Sequence, residues 1–144
     1  MIDIFVDIET IPNQSPEYRA MVRENIKAPA QYKKPDSIAV WLAENADTAT
    51  DEAIAKTSFD PAAGHIACIG WAVGDDDPRY YDMRKVEDEA ACLDGFFHNI
   101  IAACDVHMVR WVGHYISGFD LRFLLNRAIV LGVKLPSAMV LPRD

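Results

Sequence analysis

The chain has 144 residues, of which 51% are hydrophobic and 25% charged, and its formal net charge is -8. This length and apolar content are typical of one globular domain rather than a disordered or fibrous segment. The acidic balance argues against a protein that coats nucleic acid by phosphate neutralisation alone. It is compatible with an enzyme whose clustered carboxylates are neutralised by bound cations.

Cysteine usage and the N-terminus indicate the compartment. Cys68, Cys92 and Cys104 form no C-x-x-C pair, so neither a disulfide framework nor a zinc site is predicted. The N-terminus lacks a basic region followed by an apolar one, and no apolar stretch approaches the roughly 18 residues of a membrane span. We therefore expect a cytoplasmic protein without a membrane partner, organised as a single domain over residues 1–144.

The first part of the chain predicts a strand followed by two helices. Residues 2–7 alternate little and are rich in Ile, Phe and Val, which is typical of a central strand covered on both faces. Residues 15–28 predict a helix with Ser15 as N-cap and Pro29 as its stop. A second helix is predicted to begin at Pro35, before a loop that contains Gly64.

The rest of the chain predicts a hairpin and then a parallel crossover. In chain order, the expected elements are a buried strand at 66–73, a short strand at 79–83, an amphipathic helix at 93–104, a strand at 107–112 and a helix from about Ser117. Ser117 and Asp120 have the spacing of a helix-capping pair. This order predicts an α/β fold with a mixed sheet.

Three acids are candidate metal ligands. Asp7 and Glu9 stand at positions i and i+2 of the first strand, so their side chains project to the same face and can converge on one cation. Asp120 lies in the first turn of the helix after the fourth strand, and strand ends and helix starts meet at one edge of such a sheet. The structural alternative for Asp120 is compensation of the helix dipole, worth about 0.3–1 kcal/mol.

Three segments resemble the DEDD 3′-to-5′ exonucleases, in particular the bacterial and phage proteins related to the proofreading exonuclease domain of family B DNA polymerases. The segments are Asp7-Ile8-Glu9-Thr10, the stretch from Lys56 to Ala72, and Gly113-His114-Tyr115-Ile116-Ser117-Gly118-Phe119-Asp120. The resemblance implies an RNase H-like three-layer fold and two Mg²⁺ or Mn²⁺ ions. It further implies removal of nucleotides from DNA 3′ ends, preferably single-stranded.

The resemblance also assigns roles to individual residues. Asp7 would bridge both metal ions, Glu9 would hold the ion that activates water, and Asp120 would bind the other ion. Thr10 would lie near the terminal nucleotide. Phe119 would support the motif by packing, and it is otherwise a plain core aromatic.

Two departures from the family bear on activity. The family commonly has asparagine where Tyr115 stands, and an aromatic ring at that position could stack on a base. The third family motif, a Tyr or His four residues before a final Asp, has no match after Asp120, and Asp144 lacks the partner residue. We therefore expect the domain to lack its C-terminal part, and the isolated chain to be weakly active or inactive.

The sequence leaves a second function open. A module with the nuclease fold but an incomplete site would bind nucleic acid or a protein partner without cleavage. The motifs do not report contacts to a 2′-hydroxyl, so RNA stays a possible substrate beside DNA.

Overall fold

The computed structural model describes residues 1–106 and 108–136. Its strands are β1 (Ile2–Ile11), β2 (His65–Val73), β3 (Arg79–Asp82) and β4 (Val109–Val112). Its helices are α1 (Pro16–Glu24), α2 (Pro35–Lys56), α3 (Glu89–Val106) and α4 (Asp120–Leu131), with short 3-10 turns at Thr57–Phe59 and Val86–Asp88. The mixed α/β architecture expected from the sequence is therefore present.

The four strands form one mixed sheet in the order β3-β2-β1-β4. Strands β1, β2 and β3 are antiparallel neighbours, whereas β4 runs parallel to β1. The predicted hairpin of β2 and β3 is confirmed, and so is the predicted place of the first strand inside the sheet. Strand β1 thus has a hydrogen-bonded neighbour on each side.

The two faces of β1 differ, and the prediction that both faces are covered was wrong. Ile4, Val6 and Ile8 are buried, while Phe5, Asp7 and Glu9 are exposed. The sequence concealed this alternation because an apolar residue, Phe5, occupies an outward position. Since side chains of a strand alternate between its faces, Asp7 and Glu9 also project from the exposed face.

The core lies on the opposite face of the sheet, where α3 and α4 cover it. The predicted amphipathic pattern of α3 is confirmed, because Leu93, Phe96 and Ile100 are fully buried. Helix α4 buries Phe123 and Leu124 in the same cluster. This packing fixes α4 beneath the strand that carries Asp7 and Glu9.

Helix boundaries agree with the sequence at some ends and differ at others. Ser15 caps α1 as predicted, because its side chain accepts a hydrogen bond from the Tyr18 N–H at 3.1 Å. Helix α1 ends at Glu24, well before the predicted stop at Pro29. The predicted cap of α4 was wrong: the helix starts at Asp120, and Phe119 rather than Ser117 occupies the N-cap position.

The chain divides into two compact units. One contains residues 1–11 and the chain from His65 onward, and it holds the whole sheet with α3 and α4. The other, Pro12–Gly64, is a pair of helices, α1 and α2, joined by ion pairs from Arg19 to Asp51 and from Arg23 to Asp47. Over the part of the chain that the structure describes, no helix has the length and apolar character needed to cross a membrane.

Candidate functional site

Asp7 and Glu9 lie on the open face of the sheet, next to small residues of β2. Asp7 pairs with Gly70 and Glu9 pairs with Cys68. The register shifts between Glu9 and Thr10: Thr10 pairs with Ile66, so Ala67 of β2 is an extra residue in that strand, as in a β-bulge. The two acids predicted to act together therefore share one face of β1. The change of register follows directly after the second of them.

Asp120 reaches the same strand from α4. Its Oδ1 accepts a hydrogen bond from the Ile8 N–H at 3.2 Å, although the two residues are 112 positions apart in sequence. Strand β4 pairs with β1 only as far as Phe5, so beyond that point the Asp120 carboxylate takes the place of a neighbouring strand. The prediction that a helix start and a strand would meet at this edge is confirmed for these residues.

The electrostatic environment of Asp120 connects it to Asp7. Burial raises the pKa of Asp120, and the negative charge of Asp7 raises it further. Hydrogen bonds from the backbone N–H groups of Asp120 and Ile8, together with the charge of His114, oppose that rise in pKa. Asp7, Asp120 and His114 are therefore close enough to influence one another, and a cation bound beside them would stabilise both carboxylates.

The acids present an oxygen-only donor set, which suits hard cations such as Mg²⁺ and Mn²⁺. Within residues 1–106 and 108–136, no three or more His, Cys, Asp or Glu side chains form a group that could hold a metal ion as they stand. What the structure does bring together is Asp7 with Glu9 on one face and Asp7 with Asp120 at one edge. These residues fit the class of ion that the resemblance implies.

An open groove of about 660 Å³ lies on the exposed sheet face, and Asp7 is among the residues that line it. Phe5 and Tyr80 are 43% and 72% exposed, and both line it. Gly70 lies between Asp7 and Tyr80 in the strand register, so no side chain fills the space between them. This groove was not predicted from the sequence. The one local signal for it is the i, i+2 spacing of Phe5 and Asp7, which places the Phe5 ring on the same face of β1 as the acids.

His114 also lines this groove. Cys68 lies nearby, and its environment is strongly acidic: burial raises the pKa of its thiol, and the charges of Asp82, Glu9 and Asp7 raise it further. A thiol with a raised pKa is a poor nucleophile and a poor metal ligand. The carboxylates therefore dominate the chemistry of this face.

The turn before α4 places the remaining predicted residues. Tyr115 is 72% exposed and adopts a φ of 51°, and its ring lies so close to Gly118 that a Cβ there would be 2.3 Å from it. Phe119 packs against Phe123 with ring centroids 5.5 Å apart, as its predicted supporting role requires. Thr10 is half-buried beside the bulge. The ring of Tyr115 is thus accessible to a base, whereas Phe119 contributes to the core.

No protein-family model matches the chain, and neither a curated protein nor a solved structure is found that is similar to it.

Proposed function

We propose that the chain is an RNase H-like domain of the DEDD type, a 3′-to-5′ exonuclease that hydrolyses the phosphodiester bonds of single-stranded DNA. The observation that carries the proposal is the hydrogen bond from the Ile8 N–H to Asp120. It brings the third candidate acid to the strand that carries Asp7 and Glu9. The mixed sheet order and the position of α4 are compatible with this fold.

The three acids differ in their exposure to solvent, and their proposed roles differ accordingly. Asp7 and Glu9 project into solvent and would hold divalent cations, with Asp120 as the third ligand. Bound Mg²⁺ or Mn²⁺ supplies an activated water near neutral pH and neutralises charge on the phosphate. The Ile8 N–H orients the Asp120 carboxylate, and the α4 backbone keeps it in the buried position where its pKa is raised.

The groove supports single-stranded nucleic acid as the substrate. Phe5 and Tyr80 expose aromatic rings on which unpaired bases can stack, and such stacking tolerates any base. Asp7 lines this groove together with Phe5 and Tyr80, so a strand stacked on the two rings would bring a phosphodiester near this acid. In a duplex the bases are already paired and stacked, which favours single-stranded 3′ ends.

The second candidate is a module that binds nucleic acid without cleaving it. The groove favours it, because the stacking surface of Phe5 and Tyr80 is complete whether or not the acids hold metal. The third family motif would supply a further acid, as a metal ligand, and a water-orienting group that alone is worth about 10²- to 10⁴-fold in rate. Asp144 lies outside the described residues.

Digestion of a 5′-labelled single-stranded oligonucleotide separates the two candidates. For the nuclease we expect a ladder that shortens slowly from the 3′ end with Mn²⁺, as a site without the third motif requires, and that disappears with chelator. Asp7→Asn should slow cleavage by at least about 10²-fold, because it removes a metal ligand. Asp75→Asn removes the same charge from an exposed turn and should cleave as the wild type does.

Two results would decide against the nuclease. Unchanged cleavage by Asp7→Asn would show that these acids are not the site. Binding of the oligonucleotide without cleavage, at every Mn²⁺ concentration, would establish the binding module instead. An RNA of the same base sequence in the same assay measures the preference for DNA.

A further inference from the structure

A buried ion pair lies beside the site and was not predicted from the sequence. Glu89 is 0% exposed and Arg127 is 3% exposed. The guanidinium binds the carboxylate at two points: Nη2 lies 2.7 Å from Oε2 and Nε lies 2.8 Å from Oε1. The Nδ1 of His65 lies 3.1 Å from Oε2 and 3.2 Å from Nη2, and the His65 side chain is itself mostly buried.

Stability alone is a weak reason for such a pair. The cost of removing two charges from water often matches their attraction, so a well-packed apolar pair can be as stable. The better-supported use of buried ionic groups is to specify one arrangement of the elements that carry them. Glu89 starts α3 and Arg127 lies in α4, so this pair specifies how these two helices meet the sheet.

The pair reaches the sheet at the bulge that follows Glu9. Glu89 Oε1 accepts a hydrogen bond from the Ile66 N–H at 2.9 Å. Ile66 is the strand partner of Thr10, the residue at which the register shifts. The carboxylate therefore holds the backbone of β2 at Ile66, next to the extra residue Ala67 and one residue along β1 from the pairing of Glu9.

The pair also fastens α4 at a second point. Arg127 follows Asp120 by seven residues, which is about two helical turns or 10.5 Å along the same face. Asp120 is bound to the Ile8 N–H of β1, while Arg127 is bound through Glu89 to the Ile66 N–H of β2. Two attachments on one face prevent α4 from sliding or rotating against the sheet.

We propose that Glu89 and Arg127 are positioning residues for the metal site, and this inference rests on the proposed function. They fix the bulge beside Glu9 and the axial position of α4, and thereby the separation between the Glu9 and Asp120 carboxylates. Neither side chain would touch metal or substrate. They would raise the affinity for the metal ions by keeping the three carboxylates at the right separation.

Arg127→Lys is the discriminating variant. It preserves the positive charge but loses the planar two-point grip on Glu89, so charge neutralisation survives while the position of α4 is no longer defined. We expect the Mn²⁺ concentration for half-maximal cleavage to rise about 10- to 100-fold, as for other residues that orient metal ligands. The KM for the oligonucleotide should stay unchanged, because the groove does not include Arg127.

Ile100→Ala is the matched control, since it removes buried side-chain volume from α3 without touching the ion pair. All proteins are compared at a temperature where circular dichroism shows them fully folded. A merely structural role would leave the Mn²⁺ requirement of Arg127→Lys equal to that of Ile100→Ala, and this result would overturn the proposal. If Arg127→Lys does not fold, Glu89→Gln combined with Arg127→Gln supplies a neutral, hydrogen-bonding pair for the same comparison.

Direct Mn²⁺ titration calorimetry distinguishes failure of the proposed function from failure of the positioning role alone. A wild type that neither binds Mn²⁺ nor cleaves overturns the proposed function and the positioning role together. A wild type that binds and cleaves, beside an Arg127→Lys variant with the same Mn²⁺ affinity, overturns the positioning role alone.

Discussion

Tyr115 shows how one residue can be held in an unfavourable conformation by its neighbours. Its φ of 51° lies in the left-handed region, which costs most residues about 1–2 kcal/mol. Asparagine and glycine occupy that region most readily. The backbone conformation at position 115 therefore favours asparagine over tyrosine.

Replacing Tyr115 with asparagine should stabilise the protein. The Tyr115 ring is largely exposed, so little burial is lost, and relief of the backbone should contribute about 0.5–1 kcal/mol. Chemical denaturation measures the change in the free energy of unfolding. Tyr115→Phe is the control, because it keeps an aromatic residue in the same conformation and should be neutral. Equal stability of the asparagine and phenylalanine variants would contradict this account of strain.

At the scale of an element, the two faces of β1 differ: one packs into the core, and the other presents the candidate site residues. Ile4 is fully buried among core residues, whereas Phe5, its immediate neighbour, is partly exposed at the groove. Truncation of Ile4 is therefore expected to lower the stability of the protein, whereas truncation of Phe5 is expected to weaken binding.

Ile4→Ala should cost about 2–5 kcal/mol of stability, because it leaves a cavity in the core. Phe5→Ala should cost much less stability but weaken single-stranded oligonucleotide binding, by about 1–3 kcal/mol for one lost base stack. Binding is measured by fluorescence anisotropy in the Asp7→Asn background, which prevents cleavage. Undiminished affinity of Phe5→Ala at full occupancy would show that the groove does not hold a base.

Predictability also differs among the elements. Hydrophobic spacing was sufficient for α3, and turn residues were sufficient for the hairpin of β2 and β3, because both signals are local. The exposure of Phe5 and the cap of α4 were missed because they depend on tertiary contacts. Asp7, Glu9 and Asp120 were identified as candidate site residues from motifs. The Glu89–Arg127 pair joins residues 38 positions apart, and no local sequence pattern predicts it.

At the scale of the sheet-containing unit, the Glu89–Arg127 pair links β2, α3 and α4, so its ionisation affects the stability of the whole unit. Burial opposes ionisation of Glu89, but hydrogen bonds from Arg127, the Ile66 N–H and His65, and the charge of Arg127, outweigh it. The pKa of Glu89 in the folded protein is therefore held below its usual value. A lowered pKa stabilises the fold at pH values above the ordinary glutamate pKa of about 4.3.

Glu89→Gln should reduce stability at pH 7 by about 3–5 kcal/mol, because it leaves Arg127 charged and buried. As pH falls through the lowered pKa of Glu89, the wild type loses its advantage and the two proteins converge. Urea unfolding at pH 7 and at several values below pH 4 measures this convergence. Glu87→Gln, at an exposed residue of the preceding turn, should show no such difference. A stability gap that persists unchanged in acid would contradict the linkage.

The pairing of Ile11 with His65 has a consequence for how the chain can vary. The segment Pro12–Gly64 leaves the sheet and returns to it at one hairpin end, and Asn13 ties its two ends through hydrogen bonds to Thr57 and Ala63. Because the entropy of closing a loop grows slowly with its length, such a hairpin accommodates long or short connections at similar cost. The length of the segment between Ile11 and His65 is therefore weakly constrained, because the register that presents Asp7 and Glu9 is set by the pairing of β1 with β2.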